Sequence, residues 1–107
     1  MAWIAACGTD DVDAEDVIPF SHDGVDYAVY RSPDDRYYAT AGHCTHETEL
    51  LCDGLVQDST IECPMHQGRF DYTTGKATGI PAIVDLRTYP VKVENGTVYL
   101  DIRGVDT

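Results

Sequence analysis

Apolar and polar positions alternate along this chain with a period of two, in short runs broken by turn residues, which is the pattern of half-buried strands. "AWIAAC" (2–7) is the first run, and the acidic stretch "GTDDVDAED" (8–16) behind it predicts a loop. "VIPFSHDGVDYAVYR" (17–31) predicts two strands around a turn at Asp23-Gly24. In the second of them Tyr27, Val29 and Arg31 share one face and Ala28 and Tyr30 the other. "SPDD" (32–35) is a proline-started turn, and "RYYATAG" (36–42) predicts a strand that runs into a cysteine-rich region. Beyond that region "GRFDYTTGK" (68–76) reads as strand then turn, with Gly75 suited to a left-handed position. At the end "RTYPVKV" and "TVYLDIR" flank "ENG", and Asn95-Gly96 is a strong type I′ hairpin signal. Apolar residues nowhere recur at helical spacing over three turns, so the expected fold is all-β with little helix.

Length and composition narrow what such a fold can do. With 107 residues the expectation is a single domain spanning 1–107, large enough for a continuous core but too small for a core plus a separate catalytic module. Charge adds a constraint, because 19 Asp and Glu against 7 Lys and Arg leave −12. That balance repels nucleic acid, and it either steers the protein to a basic partner surface or simply keeps it soluble. No stretch has the length of apolar residues a membrane span requires, and the first residues lack a basic segment before their short apolar run. The expected location is the cytoplasm, where cysteines serve as thiols or metal ligands more often than as disulfides.

The chemistry concentrates in "CTHETELLCDGLVQDSTIECPMH" (44–66). Cys44-x-His46, sixteen residues, then Cys63-x-x-His66 supplies two thiolates and two imidazoles from two short loops. Side chains two or three positions apart on a tight loop can turn to one point, and the chain between can return as a strand or hairpin. Two metals suit this set: a tetrahedral zinc, or a [2Fe–2S] cluster with both thiolates on one iron and both imidazoles on the other. A zinc finger places its histidines together on a helix, whereas here each loop carries one Cys and one His, an order that leans towards the cluster.

Several letters around these four carry a resemblance: Leu51, Gly54, Ile61-Glu62, Cys63-Pro64, Gly68, Phe70, Thr74-Gly75 and Pro81, with Cys44-Thr45-His46 before them. The sequence resembles the Rieske ferredoxins of bacterial aromatic ring-hydroxylating dioxygenase systems, and does so loosely over almost its whole length. The resemblance implies a Rieske-type antiparallel β-sandwich or barrel with a small cluster-binding subdomain of two loops, about residues 43–81. It implies one [2Fe–2S] cluster on Cys44, His46, Cys63 and His66, with the histidines bound through Nδ1 and their other nitrogens near solvent as the electron exit. Pro81 would lie in a loop that covers the cluster.

Other positions qualify the picture. Cys52 stands where related ferredoxins often have Ser, and is expected to be a packing thiol. His43 is expected to flank the site, Cys7 to join the core and His22 to be solvated, none of them as ligands. High-potential Rieske proteins carry a disulfide across the cluster where this chain has Glu49 and Met65, and hydroxyl residues where it has Gly68 and Phe70. Hydrogen bonds to cluster sulfur stabilise the reduced state, so a potential towards the low end of about −150 to +300 mV is expected. Glu47 replaces the Gly common after the first ligand His. A carboxylate there predicts a slightly lowered potential or altered docking, unless it is merely solvated.

The function so implied is that of a one-electron carrier and not an enzyme. It would take electrons from an NAD(P)H-dependent flavoprotein reductase and pass them to a terminal aromatic ring dioxygenase, with no nucleic acid or membrane as partner. Oxygenase subunits of such systems add a mononuclear iron site in a separate large domain, for which this chain has neither the length nor the histidines. The rival readings are a Rieske-type small subunit of another reductase, such as nitrite reductase, and a zinc-stabilised binding module.

Overall fold

The computed structural model describes residues 2–44, 50–64, 68–79 and 84–103. In chain order its strands are β1 (Trp3–Gly8), β2 (Asp16–His22), β3 (Val25–Arg31), β4 (Tyr37–Ala41), β5 (Leu55–Gln57), β6 (Thr60–Glu62), β7 (Arg69–Asp71), β8 (Ala77–Gly79), β9 (Thr88–Tyr89), β10 (Val91–Glu94) and β11 (Thr97–Asp101). They form three antiparallel sheets, ordered β1-β11-β10, β2-β3-β4-β9 and β5-β6-β7-β8. The only helical pieces among the described residues are two single 3₁₀ turns, Thr9–Asp11 and Leu51–Asp53. The expected all-β fold is thus the observed one. No helix among these residues is long and apolar enough to cross a membrane.

Alternation in β3 explains how the sheets stack. Tyr27 and Val29 face one way and pack with Ala39, Tyr89, Val98 and Leu100, joining the second sheet to the first. Ala28 and Tyr30 face the other way and pack with Val56, Ile61, Phe70 and Tyr72, joining the second sheet to the third. Tyr27, Ala28, Val29 and Tyr30 are all buried, so β3 is a wall shared by two cores. β2 alternates in step, Val17 joining the second core while Ile18 and Phe20 pack on the first.

The turns follow their residues. Asp23 (φ 50°) and Gly24 (φ 76°) connect β2 to β3, and Asn95 (φ 51°) and Gly96 (φ 76°) connect β10 to β11, both left-handed pairs as a type I′ turn requires. Between the two cysteine loops the chain returns as the β5–β6 hairpin, turning at Asp58 (φ 52°).

One expectation needs correction. "RTYPVKV" is not one strand, because Pro90 divides it into β9, which pairs with β4, and β10, which pairs with β11. Proline has no N–H to give to a ladder, so the chain changes sheets there, while the Pro90 carbonyl still accepts from the Asp101 amide at 3.0 Å.

Candidate metal centre

Two closed loops hold the cysteines. At the end of β4 the Gly42 amide donates to the Asp26 carbonyl (2.9 Å), and the Leu51 amide donates to the Gly42 carbonyl (2.8 Å). His43 and Leu50 form an antiparallel bridge, so the first loop is pinched shut with Cys44 just inside its neck. At the end of β6 the Cys63 amide donates to the Gly68 carbonyl (2.7 Å) and closes the second loop in the same way. Cys44 is 4% exposed and Cys63 1%. Both belong to one buried group with Leu51, Ile61, Phe70 and Leu86. His46 and His66 lie outside the described residues, as do Glu47, Glu49, Met65 and Pro81.

A glycine brings the two loops together. A Cβ at Gly54 would lie 2.1 Å from the Glu62 carbonyl oxygen, far inside contact distance. Only glycine therefore lets the Leu51–Asp53 turn, which ends the first loop, rest against the end of β6, which opens the second. A third loop is tied at its base by Gly75, whose φ of +82° is the left-handed position expected. Its amide donates to the Asp71 carbonyl (2.7 Å) and its carbonyl accepts from Leu86 (2.6 Å), while the Asp85 carboxylate accepts from the Ala77 amide (2.9 Å). The sequence marked Gly54 and Gly75 through the resemblance, but it gave no signal for Asp26, Asp85 or Leu86. Their roles come from contacts distant along the chain.

The remaining thiols and imidazoles are accounted for by their surroundings. Cys52 is half-buried and packs against the same core, and burial, then Asp53, pushes its thiol up. Cys7 packs against the other core, where burial and then Asp11 act in the same direction. Such thiols resist ionisation. His22 Nε2 lies 3.2 Å from the exposed Asp23 carboxylate, and His43 Nε2 lies 2.9 Å from Asp26 Oδ2. A Ser21 hydroxyl bond and then His43 hold the Asp26 carboxyl below its usual range.

Behind the cysteines stands an aromatic stack. The Tyr30 and Tyr72 rings lie parallel with centroids 4.5 Å apart, and Tyr38 meets Tyr72 edge-on at 5.6 Å. Tyr30 shares a buried hydrogen bond with Thr40 (2.8 Å). Burial pushes both phenols up, Tyr72 to about 12.

The donor chemistry fits an iron–sulfur cluster. None of the four cysteines is in a disulfide, and two of them belong to one buried apolar cluster at the roots of adjacent loops. Thiolates in such a setting suit soft metals, and each loop has an imidazole two or three residues further on. Gly68 is buried beside Cys63 and Phe70 is fully buried in the cysteine core, and neither can offer a hydroxyl to sulfur.

Residues 2–90 match the Rieske [2Fe-2S] domain. The chain belongs to that family, and its cofactor is one [2Fe–2S] cluster, which decides between the two metals the spacing left open. Among its relatives are ferredoxins in particular. It is 44% identical over 98 residues, 92% of this chain and 93% of the relative, to the ferredoxin component of the naphthalene 1,2-dioxygenase/salicylate 5-hydroxylase systems of Ralstonia sp.. The Sphingomonas yanoikuyae B1 ferredoxin superimposes with a TM-score of 0.88 at 33% identity, covering 94% of this chain and 98% of that one. A chain from the complex of reduced oxygenase and oxidized ferredoxin in carbazole 1,9a-dioxygenase does so with a TM-score of 0.87 at 34% identity, covering 92% and 91%.

Proposed function

We propose that this protein is the ferredoxin of a multicomponent aromatic ring-hydroxylating dioxygenase, a soluble cytoplasmic carrier of single electrons. It receives them from an NAD(P)H-dependent flavoprotein reductase and delivers them to the terminal oxygenase. The observation that carries this reading is the 44% identity, over nearly the full length of both chains, to a ferredoxin component of such systems. The chain performs no bond chemistry of its own.

In this reading Cys44 and Cys63 hold one iron and His46 and His66 the other, within a cluster-binding region of about residues 43–81 in one domain spanning 1–107. Bound there, a [2Fe–2S] cluster takes up one electron, at a higher potential than a cluster on four thiolates because neutral imidazoles leave it less negative. The chain's part is to shape and dry the site. Leu51, Ile61 and Phe70, each fully buried, exclude water from the thiolate side, the two necks close each loop on itself, and the close approach at Gly54 sets the end of one loop against the start of the other. Partners that must part quickly need only a small contact, and a net charge of −12 favours encounter with basic surfaces.

Stopped-flow mixing with a reductase and a naphthalene-type oxygenase tests the reading. The purified protein is expected to be coloured, to give an EPR signal when reduced, and to be reoxidised by the oxygenase one electron at a time. The association rate should fall as salt rises. A colourless zinc protein, or a reduced protein that no dioxygenase reoxidises, would overturn the assignment. The midpoint potential belongs at the low end of the Rieske range, and a value above about +100 mV would refute that part.

A further inference from the structure

We propose that Asp26 is a positioning residue for the first ligand loop, gripping Gly42 and His43 so that Cys44 leaves the sandwich at one fixed angle. Asp26 lies on β3, opposite Ser21 in the β2–β3 register. Three bonds converge on it. The Ser21 hydroxyl donates to its Oδ1 (2.6 Å), His43 Nε2 meets its Oδ2 (2.9 Å), and its main-chain carbonyl accepts the Gly42 amide (2.9 Å). Gly42 has no alternative at this approach, because a Cβ there would lie 2.8 Å from the Asp26 carbonyl carbon.

One residue of the middle sheet thus holds two consecutive residues, by side chain and by backbone, and the next residue in the chain is Cys44. Ser21 fixes the carboxylate, the carboxylate fixes the His43 ring, and the carbonyl fixes the strand end. The His22–Asp23 pair on the same hairpin is the contrast. It lies at the turn, with Asp23 87% exposed, and ties no ligand loop. The Asp26 role rests on Cys44 being a cluster ligand, and it extends that reading from the ligands to what aims them.

The test compares iron release to a chelator, and the EPR spectrum of the reduced protein, in Asp26→Ala, Asp26→Asn, His43→Ala, the Asp26→Ala/His43→Ala double variant and His22→Ala. The two side chains are 40% and 47% exposed, so solvent screening limits the effect. Release should quicken about threefold to fivefold in either alanine variant, with shifted or broadened EPR features. The double variant should quicken release by less than the product of the two single effects, since both break the same Asp26–His43 contact. Asp26→Asn keeps an acceptor oxygen and should stay close to wild type, and His22→Ala should match it. Wild-type release in Asp26→Ala, additive effects in the double variant, or an Asn variant as fast as the Ala one would each overturn the proposal. If Asp26→Ala does not fold, His43→Ala, a half-exposed side chain, decides alone. A wild-type protein that binds no iron would overturn the ligand assignment itself, whereas bound iron released equally from wild type and variants overturns only the role of Asp26.

Discussion

On one face of β3, Tyr27 and Val29 pack with Ala39, Tyr89, Val98 and Leu100. On the other, Ala28 and Tyr30 pack with two cysteines, Phe70, Tyr72 and the ends of loops. The first core is assembled almost wholly from ladders of four to seven residues. Strands near the usual length of about five or six residues supply their own hydrogen bonds and apolar area. The second is roofed by a sheet whose strands are three residues each, so its order leans on pinched loop necks and two glycine contacts, to which the cluster proposed for its thiols would add. A ladder of ordinary length stands by itself, and a short one leans on what it encloses.

That contrast can be broken at several points. The largest effect belongs to Cys63→Ser, expected to abolish iron–sulfur absorbance and redox response while the near-ultraviolet dichroism of the Tyr27–Tyr89 side persists. Loss of both signals together would mean that the two cores are not separable. Next come Phe70→Ala and Leu100→Ala, both at fully buried positions, expected to cost about 3–5 and 2–5 kcal/mol in denaturant titrations. Only Phe70→Ala should also hasten iron release under native conditions. Equal release rates from the two would erase the distinction.

Gly75→Ala is expected to cost at least about 2 kcal/mol, from a left-handed alanine and from crowding of the Leu86 carbonyl 2.2 Å from the new Cβ. Differential scanning calorimetry reads it, and a change confined to the small sheet would appear as faster amide exchange at Leu86. The smallest effect is alkaline. Tyr72 is raised from the usual value near 10 to about 12, so the unfolded chain gives up that proton first. Its contribution to stability is full below about pH 10 and is lost as pH climbs through about 12. Urea midpoints measured across that range should fall less steeply in Tyr72→Phe, and identical slopes would remove the tyrosine from the account.

How much of this could be read in the letters varied with strand length. β2, β3 and the β10–β11 hairpin were legible because alternation ran long enough and Asp23-Gly24 and Asn95-Gly96 marked their turns. Alternation placed Tyr27 and Val29 on one face of β3 and Ala28 and Tyr30 on the other, but the expectation was a half-buried strand, and the burial of both faces shows only once a sheet lies on each side. β8 and the separate β9 were not, since two or three residues cannot display a period, and the break at Pro90 shows only once each half has found its partner sheet. At the site, spacing and motif singled out Cys44 and Cys63, which the structure buries in one group, while His46 and His66 of the same expected set lie outside the described residues. Asp26 and Asp85 were illegible because an acidic residue that grips a distant amide or ring looks, in sequence, like any solvated carboxylate among the 19 acidic residues.

β3 has a further consequence for how such a carrier travels. Because its two faces are packed into opposite cores, β3 ties the third sheet to the first through buried side chains rather than through a linker. Swinging one sheet against the other would uncover apolar surface in both cores. A carrier built this way is expected to travel between donor and acceptor whole, with turnover set by how often molecules meet rather than by an internal stroke.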